Sequence, residues 1–107
     1  MYGFKEIDIE GLHSIKAQNR ALVIDVRTDA EVARGMIEGA VHIPLHLLPL
    51  KVNELNVSMP TIFYCQSGAR SAQACAFMSS KGHSDVYNLQ GGILAWMRSG
   101  MPLAVMA

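Results

Sequence analysis

A surplus of either charge is what this sequence most clearly lacks: nine Lys and Arg stand against nine Asp and Glu, with no run of like charge. A protein that tracks a polyanion needs a basic stripe, so neither nucleic acid nor an acidic membrane surface is an expected partner. Long apolar stretches are missing too. No segment approaches the ~18 residues of a membrane span, and the N-terminal residues 1–6 carry neither the basic patch nor the apolar core of a signal peptide. The sequence therefore predicts a soluble, cytoplasmic chain. Cysteine is scarce: Cys65 and Cys75 stand with nine residues between them, too few for a secreted disulfide framework and at no common zinc spacing. Linkers rich in Pro, Gly or Ser, low-complexity tracts and internal repeats are absent as well, so residues 1–107 are expected to form a single domain.

What is there is material for a core. Half of the residues are apolar and 17% are charged, which excludes a disordered chain. Short apolar runs alternate with helical patterns, the layout of an α/β fold whose mostly parallel sheet is covered by helices on both faces. Residues 21–25 (ALVID) and 61–65 (TIFYC) are nearly unbroken in hydrophobicity, as strands buried on two faces must be. Residues 41–43, 86–89 and a first strand near 2–6 bring the sheet to five. Thr28-Asp29-Ala30-Glu31 has capping-box spacing and predicts a short helix ending near Gly35. Residues 71–81 predict a helix stopped by Gly82, and residues 93–99 another, set between Gly91-Gly92 and Gly100. Residues 9–18 also read as a helix, although Gly11 interrupts them.

The chemistry concentrates in Cys65-Gln66-Ser67-Gly68-Ala69-Arg70-Ser71, between the end of a buried strand and the start of a helix. In an open α/β sheet, ligands bind beyond the carboxyl ends of the strands, where Cys65 would be held. Gly68 lets the loop curl so that successive backbone N–H groups face one centre, and the helix N-terminus adds its partial positive charge. Such a cradle favours the thiolate over the thiol, making Cys65 a nucleophile near neutral pH. Arg70 is expected to supply a fixed charge for an anionic substrate. The competing reading is that Cys65 merely ends a core strand, since free cysteine is among the most buried residues.

The loop CQSGARS resembles the active-site loop of the rhodanese family, and two further segments resemble that family's signatures. Upstream, VIDVRTDAEVARGMIEGAVHIP (residues 23–44) is similar to the first; downstream, YNLQGGILAWMRSGMP (residues 87–102) is similar to the closing one. Met36 departs from the pattern, where the family usually has His. The resemblance implies a three-layer α/β/α domain and a sulfurtransferase without metal or organic cofactor. In that chemistry Cys65 takes sulfur from thiosulfate or a persulfide donor and passes it to a thiol or cyanide, while residues 66–71 hold the persulfide. A protein acceptor is an alternative partner, with the domain then a sulfur-carrying or regulatory module that turns over little free thiosulfate. Cysteine phosphatases and arsenate reductases have a loop one residue longer; the four residues between Cys65 and Arg70 suit a smaller ring of amides.

The remaining candidates have quieter readings. Asp25 is expected to cap backbone N–H groups beyond its strand as a supporting residue, with Arg27 given a weak role on the substrate side. Cys75 reads as helix packing and Trp96 as the core anchor of the last helix. His42 and His46 have helical metal-ligand spacing that Pro44 between them spoils, and His13 and His83 read as surface residues. The apolar tail 101–107 and residues 45–50 are candidate docking surfaces, each expected more often to pack on its own domain.

Overall fold

A computed structural model describes residues 3–18, 20–55 and 58–105. Five strands, β1 (Phe4–Ile7), β2 (Leu22–Asp25), β3 (Val41–His42), β4 (Thr61–Tyr64) and β5 (Val86–Leu89), form one sheet in the order β1-β5-β4-β2-β3. Every pairing is parallel. The two strands read as doubly buried, β2 and β4, are adjacent near its centre, which explains their apolar runs: a central parallel strand meets helices on both sides.

Alternation along β4 sorts its residues between two cores. Phe63 and Cys65 join Ile24, Ala74, Cys75 and Met78 on one face, while Ile62 and Tyr64 join Leu12, Val23, Leu89, Ile93 and Trp96 on the other. The first face is covered by α4 (Ala69–Ser80), the second by α1 (Ile9–Gln18) and α5 (Gly92–Arg98). The fold is therefore α/β, with a parallel five-stranded sheet between helical layers, as expected. Two short helices, α2 (Asp29–Val32) and α3 (Leu48–Lys51), complete the set, α3 lying between single 3₁₀ turns.

Local chemistry explains the boundaries. Thr28 forms the capping box with Glu31 that starts α2, and Asp8 accepts from Gly11 N at 2.8 Å, so Gly11 sits in the first turn of α1 and does not break it. The first strand starts at Phe4; Tyr2, included in the expected strand, lies outside the described residues. One boundary matters for the site. The helix after Cys65 begins at Ala69, not Ser71, because Gly68 takes the left-handed N-cap position at φ 114°. Arg70 and Ser71 therefore belong to the first helical turn, and the loop proper is Gln66 to Gly68.

Both candidate docking segments pack on their own domain as far as they are described, Met106 and Ala107 of the tail lying outside the described residues. In the tail, Met36 and Ala104 exchange backbone hydrogen bonds of 2.8 Å each way, and Trp96 Nε1 donates to Pro102 O at 2.8 Å. In residues 45–50, Leu48 is buried and Leu45 packs against the first core, leaving Leu50 exposed. Met36 is itself buried, an apolar residue in an apolar bridge. No helix among the described residues is long and apolar enough to cross a membrane.

Candidate active site

Cys65 follows the last residue of β4, and its side chain is 1% exposed. Burial alone would make it inert. The surrounding donors say otherwise: Gly68 N lies 3.1 Å from Sγ, and Ser71 N and Ser71 Oγ each lie 3.4 Å from it. Desolvation pushes the thiol up, but the Ser71 hydroxyl and the amides of Ser71, Gly68 and Ser67 together outweigh it and hold the pKa below its ordinary value. The Ser71 amide is free to do this because the first turn of a helix has no internal partners for its N–H groups.

The backbone on the far side of the loop is also held. Ile93 N donates to Cys65 O at 2.9 Å and Leu94 N to Gln66 O at 3.2 Å. With the Gln66 carbonyl tied to α5, the Ser67 amide that follows it is turned toward the sulfur. Gln66, Ser67 and Ala69 expose their side chains to solvent, so the loop contributes mainly main chain.

Arg70, expected to offer a fixed charge to an anionic substrate, is engaged by a carboxylate. Its Nη1 and Nη2 donate to Glu31 Oε1 and Oε2 at 2.7 and 2.8 Å, a bidentate pair of the strong kind. The Arg70 guanidinium holds the Glu31 carboxyl down to about 2. Asp25 and Arg27 form a second pair, fully buried, with Arg27 Nη2 2.7 Å from Asp25 Oδ2 and also 2.7 Å from Gly35 O. Asp25 Oδ1 accepts from Arg27 N at 2.9 Å, the capping of the next turn expected of it. Arg27 lines the cleft beside Gln66, yet four of its five N–H groups are engaged by Asp25 and by the carbonyls of Gly35 and Glu31. Its work is to clamp the β2 end to the turn at Gly35. Tyr64, whose hydroxyl accepts from Ile37 N at 2.9 Å, packs its ring under the same guanidinium.

Three residues near the site escape sequence reasoning. Glu31 reads only as a cap, a role it also fills. Asn88, buried in β5, accepts from Ser71 Oγ at 2.5 Å through Oδ1 and donates through Nδ2 to Gly68 O at 3.1 Å and to Glu6 Oε2 at 2.9 Å. A polar residue in the apolar strand Val86–Leu89 is the signal that marks it. Glu6 is an exposed strand residue that nothing local distinguishes. Cys75 is fully buried with a free thiol, pushed up by desolvation and by the negative charges of Glu6 and Cys65. His42 Nε2 lies 2.7 Å from Arg27 O, His46 is exposed, His83 half-buried, and His13 packs on the Trp96 ring.

One hydroxyl hydrogen on Ser71 serves two acceptors, Asn88 Oδ1 and Cys65 Sγ. An ionised sulfur is the stronger acceptor of the two, so the hydrogen moves to it as the thiolate forms. Ser71→Ala should therefore slow alkylation of Cys65 by iodoacetamide at neutral pH about fivefold, the worth of one hydrogen bond of ~1 kcal/mol. The alkylation pH profile should shift to higher pH. A profile that stays in place would show that the hydroxyl remains on Asn88 throughout.

Comparison with known proteins agrees with this geometry. A sulfurtransferase from Allochromatium vinosum is 46% identical over 99 residues, covering 92% of each chain. The thiosulfate sulfurtransferase GlpE of Pseudomonas putida is 34% identical over 96 residues, 90% of this chain and 87% of its own. Among solved structures, a rhodanese-like domain protein from Staphylococcus aureus superposes with a TM-score of 0.84 at 30% identity, over 96% of this chain and 99% of its own. Residues 8–99 match the Rhodanese-like domain family, and with that match the chain belongs to the rhodanese-like family, as a relative of the sulfurtransferases of Allochromatium vinosum and Pseudomonas putida.

Proposed function

We propose that this chain is a sulfurtransferase that moves a sulfane sulfur from thiosulfate or a persulfide donor to a thiol or cyanide, with Cys65 as the carrier. The convergence of Gly68 N, Ser71 N and Ser71 Oγ on Cys65 Sγ carries the reading. A persulfide adds one sulfur beyond Sγ and keeps one negative charge, and N–H groups aimed at the thiolate are already aimed near that charge.

The step balances without any outside oxidant. The Cys65 thiolate attacks the terminal sulfur of thiosulfate; a new S–S bond forms, the old one breaks, and its electron pair leaves on sulfite. A second thiolate or cyanide then attacks the outer sulfur and the Cys65 thiolate departs, the ping-pong pattern of covalent catalysis. The domain needs only its own residues for both halves, and a cytoplasmic pool of thiols would supply the acceptor.

Intact-protein mass spectrometry after thiosulfate treatment tests the reading. The expected product is protein heavier by one sulfur atom, mapping to the peptide that contains Cys65 and stripped by cyanide or excess thiol. An adduct on Cys75 would overturn the site assignment. Absence of any adduct, together with hydrolysis of p-nitrophenyl phosphate that iodoacetamide abolishes, would replace sulfur transfer with phosphatase chemistry.

A further inference from the structure

The first turn of α4, next to the loop, carries one cation, Arg70, and a residue 39 positions earlier neutralises it. Resting on the sulfur-transfer reading, we infer that Glu31 is a specificity-determining residue. Its ion pair with Arg70 turns the site away from doubly charged inorganic donors and toward singly charged organic sulfane donors with an apolar carbon part.

The charge distribution carries the argument. Asp25 and Arg27 cancel one another inside the protein. Around the cleft that leaves Arg34, exposed and with no ion pair among the described residues, and the Glu31–Arg70 pair. Thiosulfate brings two negative charges. Without Glu31 it would meet two cations; with Glu31 it meets a net charge of one. Glu31 is fixed in its place, because Oε1 also accepts from Thr28 N and Thr28 Oγ1 at 3.1 Å each, so the carboxylate stays beside Arg70 and competes with a small anion for it. The pair is partly buried, Arg70 34% and Glu31 24% exposed, and its Glu31 end lines the cleft, so a substrate's field there is screened only in part.

The wall of the same cleft supports the second half of the inference. The space is about 270 Å³, and Ile93, Leu94, Met97 and Leu103 line it. Such a wall does nothing for an inorganic dianion that must keep its hydration. It lowers the free energy of an organic donor in proportion to the apolar area covered.

The test compares two donors of nearly the same shape and different charge: thiosulfate, and methanethiosulfonate, in which a methyl group replaces one charged oxygen. Each delivers its terminal sulfur to Cys65 by the same displacement, with sulfite or methanesulfinate leaving. Rates of sulfur loading onto Cys65 are read by quenched mass spectrometry on Glu31→Gln and on wild type. Gln preserves the capping role and removes the charge. The thiosulfate-to-methanethiosulfonate rate ratio should rise about fourfold in E31Q, as expected for one unit charge acting over about 7 Å at an effective dielectric of about 60. That rise should shrink as salt is added. Arg70→Gln should move the ratio the other way. Because both donors are read on one preparation, any loss of folded protein cancels from the ratio. A ratio unmoved by E31Q, or lowered by it, would overturn the inference while leaving sulfur transfer intact; no loading from either donor on wild type would remove both.

Discussion

Sulfur turnover should disappear in Cys65→Ser, with thiosulfate and a thiol acceptor giving a rate lower by at least about a thousandfold. A serine hydroxyl at that position meets the same donors, but an alkoxide is not populated near neutral pH. Oxygen also has no counterpart to the S–S bond that stores the transferred atom. The donors that hold the pKa of Cys65 down would then surround a neutral oxygen, which needs no stabilised negative charge. Cys75→Ala is the matched comparison. Cys75 sits on α4, fully buried, and its pKa is pushed up by desolvation and by neighbouring negative charge, so it is protonated and out of reach of a small donor. The rate in Cys75→Ala should stay within about threefold of wild type, since it removes only one buried sulfur from the core. Sulfite release measured on both variants decides the matter. Loss of turnover in a folded Cys75→Ala protein would make the second thiol a participant and would require a disulfide or sulfur relay between the two.

Much of the fold and of the site is legible in the sequence, and the part that is not has a common cause. The sheet could be read because β2 and β4 are central and parallel, which forces continuous apolar runs that no amphipathic helix has. The loop at Cys65 could be placed because a buried strand, a glycine and a helix start follow one another within a few residues. What escaped are contacts made across the sheet order. Glu31 reaches Arg70 from 39 residues away and Glu6 reaches Asn88 from 82 residues away. The second contact exists only because the first strand returns to pair with the last. Parallel pairing has no short-range sequence signal, since its crossovers are long. Arg70 shows the consequence: its residue type suggests a free substrate charge, and only its long-range partner reveals that the charge is shared. The start of α4 was misplaced for a local reason. Ala69 and Arg70 look like loop residues in sequence, and the left-handed Gly68 is what admits them to the helix.

Gly92→Ala should cost the protein about 3 kcal/mol or more and lower turnover about a hundredfold in what remains folded. The two effects share one origin. Gly92 has φ +57°, a region that L side chains rarely adopt, so alanine there is strained by about 1–2 kcal/mol before any contact is considered. Its new Cβ would fall 2.5 Å from Cys65 O, 2.5 Å from Gln66 O and 2.6 Å from the Gln66 carbonyl carbon. All three are backbone atoms, so no flexible side chain can swing aside to relieve the clash. Either α5 withdraws or the loop moves. If α5 withdraws, Ile93 N and Leu94 N lose the carbonyls of Cys65 and Gln66 that they hold at 2.9 and 3.2 Å, and the buried contacts of Ile93 and Trp96 loosen with them. If the loop moves, the Gly68 and Ser71 amides swing off the sulfur and the thiolate loses its stabilisation. Thermal unfolding checks the first effect: for a domain of this size, 3 kcal/mol corresponds to a fall of roughly 10–20 °C in Tm. The alkylation pH profile of Cys65 checks the second, and should shift upward as in Ser71→Ala. Gly100→Ala is the contrast: its φ of +82° carries a similar backbone strain, but a Cβ there meets nothing within 4 Å. It should therefore lose stability without any shift of that profile. Were both variants to lose stability and activity alike, the glycine after Gly91 would matter only for its backbone conformation, and the close approach of α5 to the sulfur loop would have no part in catalysis.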